Sequence, residues 1–147
     1  MKHTKSERGQ SLVELAISIF ILVYLLAGAV EFGLAFFQYV QLRDAAQEGA
    51  LFGSMDPEGA IEDRVRGAST SPIDLSYAAG QITVTITAKD KTTGNAKTLI
   101  DACEGDGLEV LVEYKHQIFM PFIPQFIGSP TIPLNATVTD TILSPIC

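Results

Sequence analysis

The sequence predicts an α+β protein in which a long N-terminal transmembrane helix precedes a small domain, where a short helix packs on a mostly antiparallel sheet of three or four strands. Residues 15–30 are apolar and uncharged, which is typical of a helix in a bilayer. Three later segments alternate apolar and polar residues with period two, which predicts strands with one covered face. We expect a leader at 1–9, a transmembrane and extended helix at 10–53 and an exported domain at 54–147.

Charge is distributed unevenly along the chain. Residues 1–9 contain Lys2, Lys5 and Arg8 against Glu7, a net charge of +2. The whole chain carries −7, so residues 10–147 carry −9. A basic tail beside an apolar run favours a cytoplasmic N-terminus and an acidic body across the membrane. Nucleic acid is excluded as a partner, because its phosphates require a basic surface.

Two carboxylates flank the apolar run. Sixteen helical residues reach only about 24 Å, so a ~30 Å hydrocarbon core brings Glu14 and Glu31 to its boundaries. A charge at bilayer depth is costly, so both are candidates for charge pairing during assembly. For Glu31 the alternative is that its carboxylate reaches the headgroup layer.

Small residues follow the apolar run at every fourth position. Ala45, Gly49 and Gly53 would line one helix face and let another helix approach closely, or they are simply tolerated near a helix end. The long helix should end near Gly53. A second helix is expected next, with Asp56 as N-cap and Pro57 as its first residue.

The alternating segments are residues 81–88, 108–118 and 132–142. Residues 89–107 between the first two are polar and rich in glycine. Residues 120–130 are apolar and contain prolines, so they should fold over the open end of the core or form an exposed patch for a partner or the membrane.

Candidate catalytic chemistry is sparse, and we expect no enzyme activity, cofactor or metal site. His116 falls on the apolar face of its strand, where a hydrogen-bonded histidine is the expected outcome. The acidic residues of 101–109 indicate either a solvated loop or a Ca²⁺ site. Asn135 begins a glycosylation sequon. If the body is exported, Cys103 and Cys147 should form a disulfide.

The segment Gly9-Gln10-Ser11-Leu12-Val13-Glu14 resembles a type IV pilin-type signal. The resemblance implies that a prepilin peptidase cuts between Gly9 and Gln10 on the cytoplasmic face. The freed amine of Gln10 would lie one helical turn from Glu14, so the two could pair within or between subunits and offset both desolvation costs.

A longer stretch is similar to the TadE-like pseudopilins of Tad/Flp (tight adherence) pilus systems. The matching pieces are RGQSLVE at 8–14, GAVEFG at 28–33 and LRDAAQEGA at 42–50. The family often has a proline midway along the anchor, where this chain has Phe20 and Ile21, so an uninterrupted helix is expected. The resemblance implies a non-enzymatic, single-pass protein of the inner membrane, with prepilin peptidase, other pilin or pseudopilin subunits and the assembly machinery as partners in building an adhesive pilus.

A conventional secretory signal is the alternative. Ala27-Gly28-Ala29 has the small-x-small pattern of a signal peptidase site. Cleavage after Ala29 would release a soluble binding domain, and an uncut segment would leave that domain anchored in the membrane.

Overall fold

The computed structural model describes residues 8–71, 73–76 and 80–144, and it shows helices packed on one face of a four-stranded sheet. The elements in chain order are α1 (Arg8–Met55), α2 (Ile61–Gly67), β1 (Ile82–Lys89), β2 (Ala96–Lys97), a 3₁₀ turn (Leu99–Asp101), β3 (Gly107–Gln117), α3 (Ile123–Ile127) and β4 (Thr131–Thr141). The predicted α+β class is confirmed.

Helix α1 dominates the molecule. Its 48 residues extend about 70 Å without a break, as expected from a stretch that contains no proline. The helix begins at Arg8, while residues 1–7 of the predicted leader lie outside the described residues. It ends at Met55, two residues past the predicted boundary at Gly53.

The start of α2 differs from the prediction. The amide of Asp56 still donates to the carbonyl of Phe52 in the last turn of α1, so Asp56 does not cap a second helix. A tight turn follows, and a side chain at Gly59 would collide with Asp56 and Phe52. The predicted cap at Asp56 and first turn at Pro57 are therefore wrong. The chain needs these residues to reverse direction before α2 starts at Ile61.

The sheet has the order β2-β1-β3-β4, and all its neighbouring strands are antiparallel. The central pair aligns Val84 with Val112, and β3 aligns Val112 with Ala136 on its other side. The three long strands occur where the alternation predicted them. The two-residue β2 lies in the polar connection, where no alternation marks it.

The core lies between the C-terminal half of α1, α2 and the inner face of the sheet. From the sheet, Leu108, Val110 and Val112 are fully buried, which is the alternation expected of β3. Leu42 and Ala46 of α1 are buried against this layer. The second half of α1 is therefore part of the globular body, while positions 9–23 are fully exposed.

Candidate functional site

The proposed cleavage motif lies at the exposed start of α1. Gly9, Gln10 and Glu14 are all exposed and helical. Gln10 and Glu14 are four positions apart, which places them on the same helix face about one turn apart. Among the described residues, no heavy atom would lie within 4 Å of a side chain at Gly9. Neither packing nor backbone conformation therefore requires glycine there.

The first part of α1, at positions 9–23, is apolar and uncovered. Every residue at positions 9–23 is exposed, and the most apolar 18-residue window of the helix has a mean hydropathy of 2.4 and is 0% buried. A core helix of a soluble protein would instead be mostly covered by its own domain. By length and composition, α1 can cross a membrane.

A buried polar cluster joins the middle of α1 to the end of β3. The Glu31 carboxylate lies 2.9 Å from His116 Nε2 and accepts a hydrogen bond from the Phe119 amide at 3.1 Å. The other ring nitrogen of His116, Nδ1, lies 2.5 Å from the Gln38 side-chain oxygen. The His116 residue is only 1% exposed. We call these side chains, Glu31, Gln38 and His116, the polar cluster.

The polar cluster is a contact that sequence reasoning missed. The sequence predicts a hydrogen-bonded histidine at His116 and a charge-pairing candidate at Glu31. It does not predict that these two residues, 85 positions apart, pair with each other. A signal was present, because Glu31 and Gln38 are seven residues apart and so share a helix face. Glu31 therefore has its partner in its own chain, while Glu14 is exposed at the other end of the apolar run.

The ridge of small residues is buried within the chain. A side chain at Gly49 would lie 2.3 Å from Val65 Cγ2, and one at Gly53 would lie 2.6 Å from Ile61 Cδ1. Ala45 is also buried. The close approach expected from these residues is made within the chain, by α2 and the sheet.

Asp106 organises the polar connection beside the cysteine region. It is buried, pairs with Lys97, and accepts hydrogen bonds from the amides of Cys103 at 2.7 Å and Lys91 at 3.0 Å. The Lys97 hydrogen bond first, and the Cys103 amide second, lower the pKa of Asp106 to about 2. Glu109 pairs with Lys89 at 2.5 Å.

These pairings involve Asp106 and Glu109, while the other two acidic residues of 101–109, Asp101 and Glu104, are exposed. Within residues 8–71, 73–76 and 80–144, no group of three or more metal-binding side chains could hold an ion. Cys103 is not a free thiol. Its predicted partner Cys147 lies outside the described residues, so that pair stays a prediction.

Comparison with known families finds a match within α1. Residues 9–51 match the family model described as TadE-like protein. The chain carries a TadE-like segment. This match confirms the resemblance seen in the sequence motifs, and it starts at Gly9, the residue before the proposed cut. No curated protein and no solved structure matched the chain.

The match is confined to α1 and likens this helix to pseudopilin-like proteins associated with Tad pili. The family is a structural, pilus-associated one, and its proteins contact other pilus components. The TadE-like segment ends in the part of α1 that packs under α2 and the sheet. One continuous helix therefore combines a motif at its tip, a membrane-compatible half and a half built into the body.

Proposed function

We propose that this protein is a TadE-like pseudopilin or pilus subunit that a prepilin peptidase processes and that takes part in assembling a Tad/Flp-type pilus for adhesion. The observation that carries the proposal is the position of Gly9 and Gln10 at the exposed tip of an unbroken apolar helix, with Glu14 one turn later. No packing contact in the described part of the chain requires glycine at position 9. A requirement for glycine there would come from an enzyme that reads the site.

The proposed cut between Gly9 and Gln10 creates a charged amine at the membrane boundary. Glu14 lies on the same helix face and would pair with that amine, in its own subunit or in a neighbour. Glu14 suits this role better than Glu31, because the Glu31 carboxylate already contacts His116 and the Phe119 amide. Other pilin or pseudopilin subunits and the inner-membrane assembly machinery are the proposed partners.

We also propose a single-pass topology in the cytoplasmic membrane. The leader at 1–9 stays in the cytoplasm, the helix at 10–53 crosses the membrane and continues beyond it, and the body at 54–147 lies outside. The +2 tail and the −9 remainder support this orientation. An oxidising compartment outside would also favour the disulfide between Cys103 and Cys147.

The secretory alternative conflicts with two contacts. Met120 packs beside Gly28, and Tyr24 donates to the Pro121 carbonyl at 3.2 Å. Cleavage after Ala29 would remove the helical half of both contacts from the released domain. It would also create a new terminus at Val30, directly before Glu31 of the polar cluster.

The N-terminal residue of the mature protein tests the processing step. The protein should be purified from membranes of cells that express the full pilus system, and its N-terminus determined by mass spectrometry. We expect Gln10. Val30 would support the secretory alternative, and an intact Met1 would support an uncut anchor; either result contradicts the proposal.

The role of Glu14 needs a separate test. Glu14→Ala should leave membrane insertion intact and abolish or strongly reduce pilus assembly, because the amine of Gln10 loses its partner. Glu14→Asp keeps the charge and serves as the matched control, with pili counted by electron microscopy. Normal assembly by the Glu14→Ala protein would show that the pairing is not required.

A further inference from the structure

A long uncharged segment connects β3 to β4. Residues 118–130, which we call the apolar loop, contain no charged side chain, although 18% of the whole chain is charged. The short helix α3 lies within this segment. Charged residues would be expected in a stretch of this length on the surface of an acidic domain.

Residues 119–121 hold the apolar loop against the membrane-compatible part of α1. The Tyr24 hydroxyl donates to the Pro121 carbonyl, and Met120 lies beside Gly28. The Phe119 amide donates to the Glu31 carboxylate. These contacts place the loop alongside helix positions 24–31, so its depth follows from the depth of α1.

The position of the loop can be expressed as a depth in the bilayer. A hydrocarbon core of ~30 Å corresponds to roughly 20 helical residues, so a core that begins near Leu12 ends near Glu31. Tyr24 and Gly28 then lie roughly 10 Å and 5 Å inside the outer boundary. Interfacial segments bury their apolar faces to about 5–10 Å. The polar cluster fits this level, because His116 and the Phe119 amide partner the carboxylate of Glu31.

The side chains of the apolar loop suit lipid rather than water. Phe126 is 86% exposed and Phe119 is 71% exposed, and Phe122 and Ile127 are exposed beside them. Phe122 also adopts a left-handed backbone with φ of 72°, which is unfavourable for a bulky residue and is often found at functional positions. An open groove of about 400 Å³ between α1 and residues 119–121 is lined almost wholly by apolar side chains.

We infer that the apolar loop is a second membrane contact, inserted into the outer leaflet beside α1, with Phe119, Phe122, Phe126 and Ile127 in the acyl-chain region. The inference rests on the proposed membrane-spanning role of α1. Lipid is the occupant because the loop is fixed to helix positions inside the hydrocarbon boundary, where a soluble partner has no access. The body would then be fastened at two points and held at one tilt to the membrane.

The chain contains no tryptophan, so a single introduced one reports on one site. We would place it by Phe126→Trp, where the high exposure of Phe126 leaves the fold undisturbed. Ile100→Trp is the matched control, because Ile100 is also an exposed apolar residue (76%) but lies beside Pro57 and Glu58, past the far end of α1. Phe20→Trp reports on the anchor. Each full chain is reconstituted into phosphatidylcholine vesicles with or without bromine on the acyl chains.

We expect brominated lipid to remove most of the emission of the Phe126→Trp and Phe20→Trp proteins, and to leave that of the Ile100→Trp protein unchanged. If the Phe20→Trp protein is quenched and the Phe126→Trp protein is not, the loop contact is refuted while the membrane anchor is retained. If neither protein is quenched, both the loop contact and the membrane anchor are refuted. Quenching of all three would mean that the whole body lies on the membrane, which also contradicts a contact specific to the loop. Blue-shifted but unquenched emission from Phe126→Trp would mean that protein covers the loop instead of lipid.

Discussion

Replacing Gly49 by alanine should push α2 away from α1. The new Cβ would lie 2.3 Å from Val65 Cγ2, well inside the ~3.5–4.0 Å of a normal carbon contact. Val65 is fully buried and β-branched, so its methyl group has little freedom to move. The same Cβ would lie 3.7 Å from both Ile61 and Val110, which is an ordinary contact distance, so the strain falls on Val65 of α2.

Two opposing terms determine the size of the effect. Overpacking a well-filled core costs about 1–3 kcal/mol. Alanine recovers about 1 kcal/mol of helix propensity relative to glycine, so the net change for Gly49→Ala alone is a destabilisation of about 0–2 kcal/mol. Gly33→Ala is the matched control, because a Cβ there meets nothing within 4 Å on the same helix. The difference in stability between the two variants should therefore be about 1–3 kcal/mol.

The assay is thermal unfolding of the full chain in detergent micelles, followed by the near-ultraviolet circular dichroism of its four tyrosines. For a body of this size, 1 kcal/mol shifts the melting temperature by roughly 4–8 °C. Val65→Ala completes a double-mutant cycle. Alone it should cost about 2 kcal/mol from lost burial and the cavity that it leaves. Combined with Gly49→Ala it should cost less, because the alanine methyl takes part of the vacated space.

Equal stability of the Gly49→Ala and Gly33→Ala proteins would refute the close contact between α1 and α2. Strict additivity of Gly49→Ala and Val65→Ala would refute it independently, because residues that touch should couple. A shift in oligomeric state of the Gly49→Ala protein without loss of monomer stability would instead place the ridge between subunits.

The remaining predictions concern the polar contacts and the cysteines. Glu31→Ala should lower the melting temperature more than Glu31→Gln, because it leaves Nε2 of buried His116 without a partner at a cost of about 1–3 kcal/mol, whereas glutamine still offers an acceptor. Equal losses would contradict this expectation. The depressed pKa of Asp106 means that its ionised form stabilises the fold above pH 3.8 and that this contribution disappears as the pH falls to about 2. The stability gap between the native protein and Asp106→Asn should therefore narrow over that range in acid titrations, and a constant gap would contradict it. Non-reducing mass spectrometry should link the peptides of Cys103 and Cys147, and reduction should cost about 4 kcal/mol for a loop of about 45 residues; unlinked peptides would exclude the pair.

Several elements could be predicted from sequence because their signals are local. A period of two marked the long strands, and the uncharged run without proline marked α1. The cap predicted at Asp56 was wrong, because the residue preferences of a short segment do not show where the chain reverses direction. The residue types that cap a helix are also those that form turns. The two-residue β2 carries too few residues to show any period.

The partner of each candidate residue could not be read from the sequence. The spacing of Ala45, Gly49 and Gly53 predicted a close contact but not the element that makes it. The structure assigns it to α2 and the sheet. The same limit applies to Glu31, whose position at the end of an apolar run marked it as unusual, while its contact with His116 depends on the register of β3 against α1.

The sequence by itself determined the long apolar helix, the motif from Gly9 to Glu14 and the alternating strands, because each depends on spacing within a few residues. Tertiary structure alone decided which half of α1 is covered, which carboxylate has an internal partner and where the apolar loop lies along the helix. These follow from burying distant surfaces against one another, and that choice minimises the free energy of the whole chain rather than of any one segment. As a result, Glu14 and Glu31, which look alike in the sequence, are placed differently: one is exposed at the tip of the helix and the other is joined to the body.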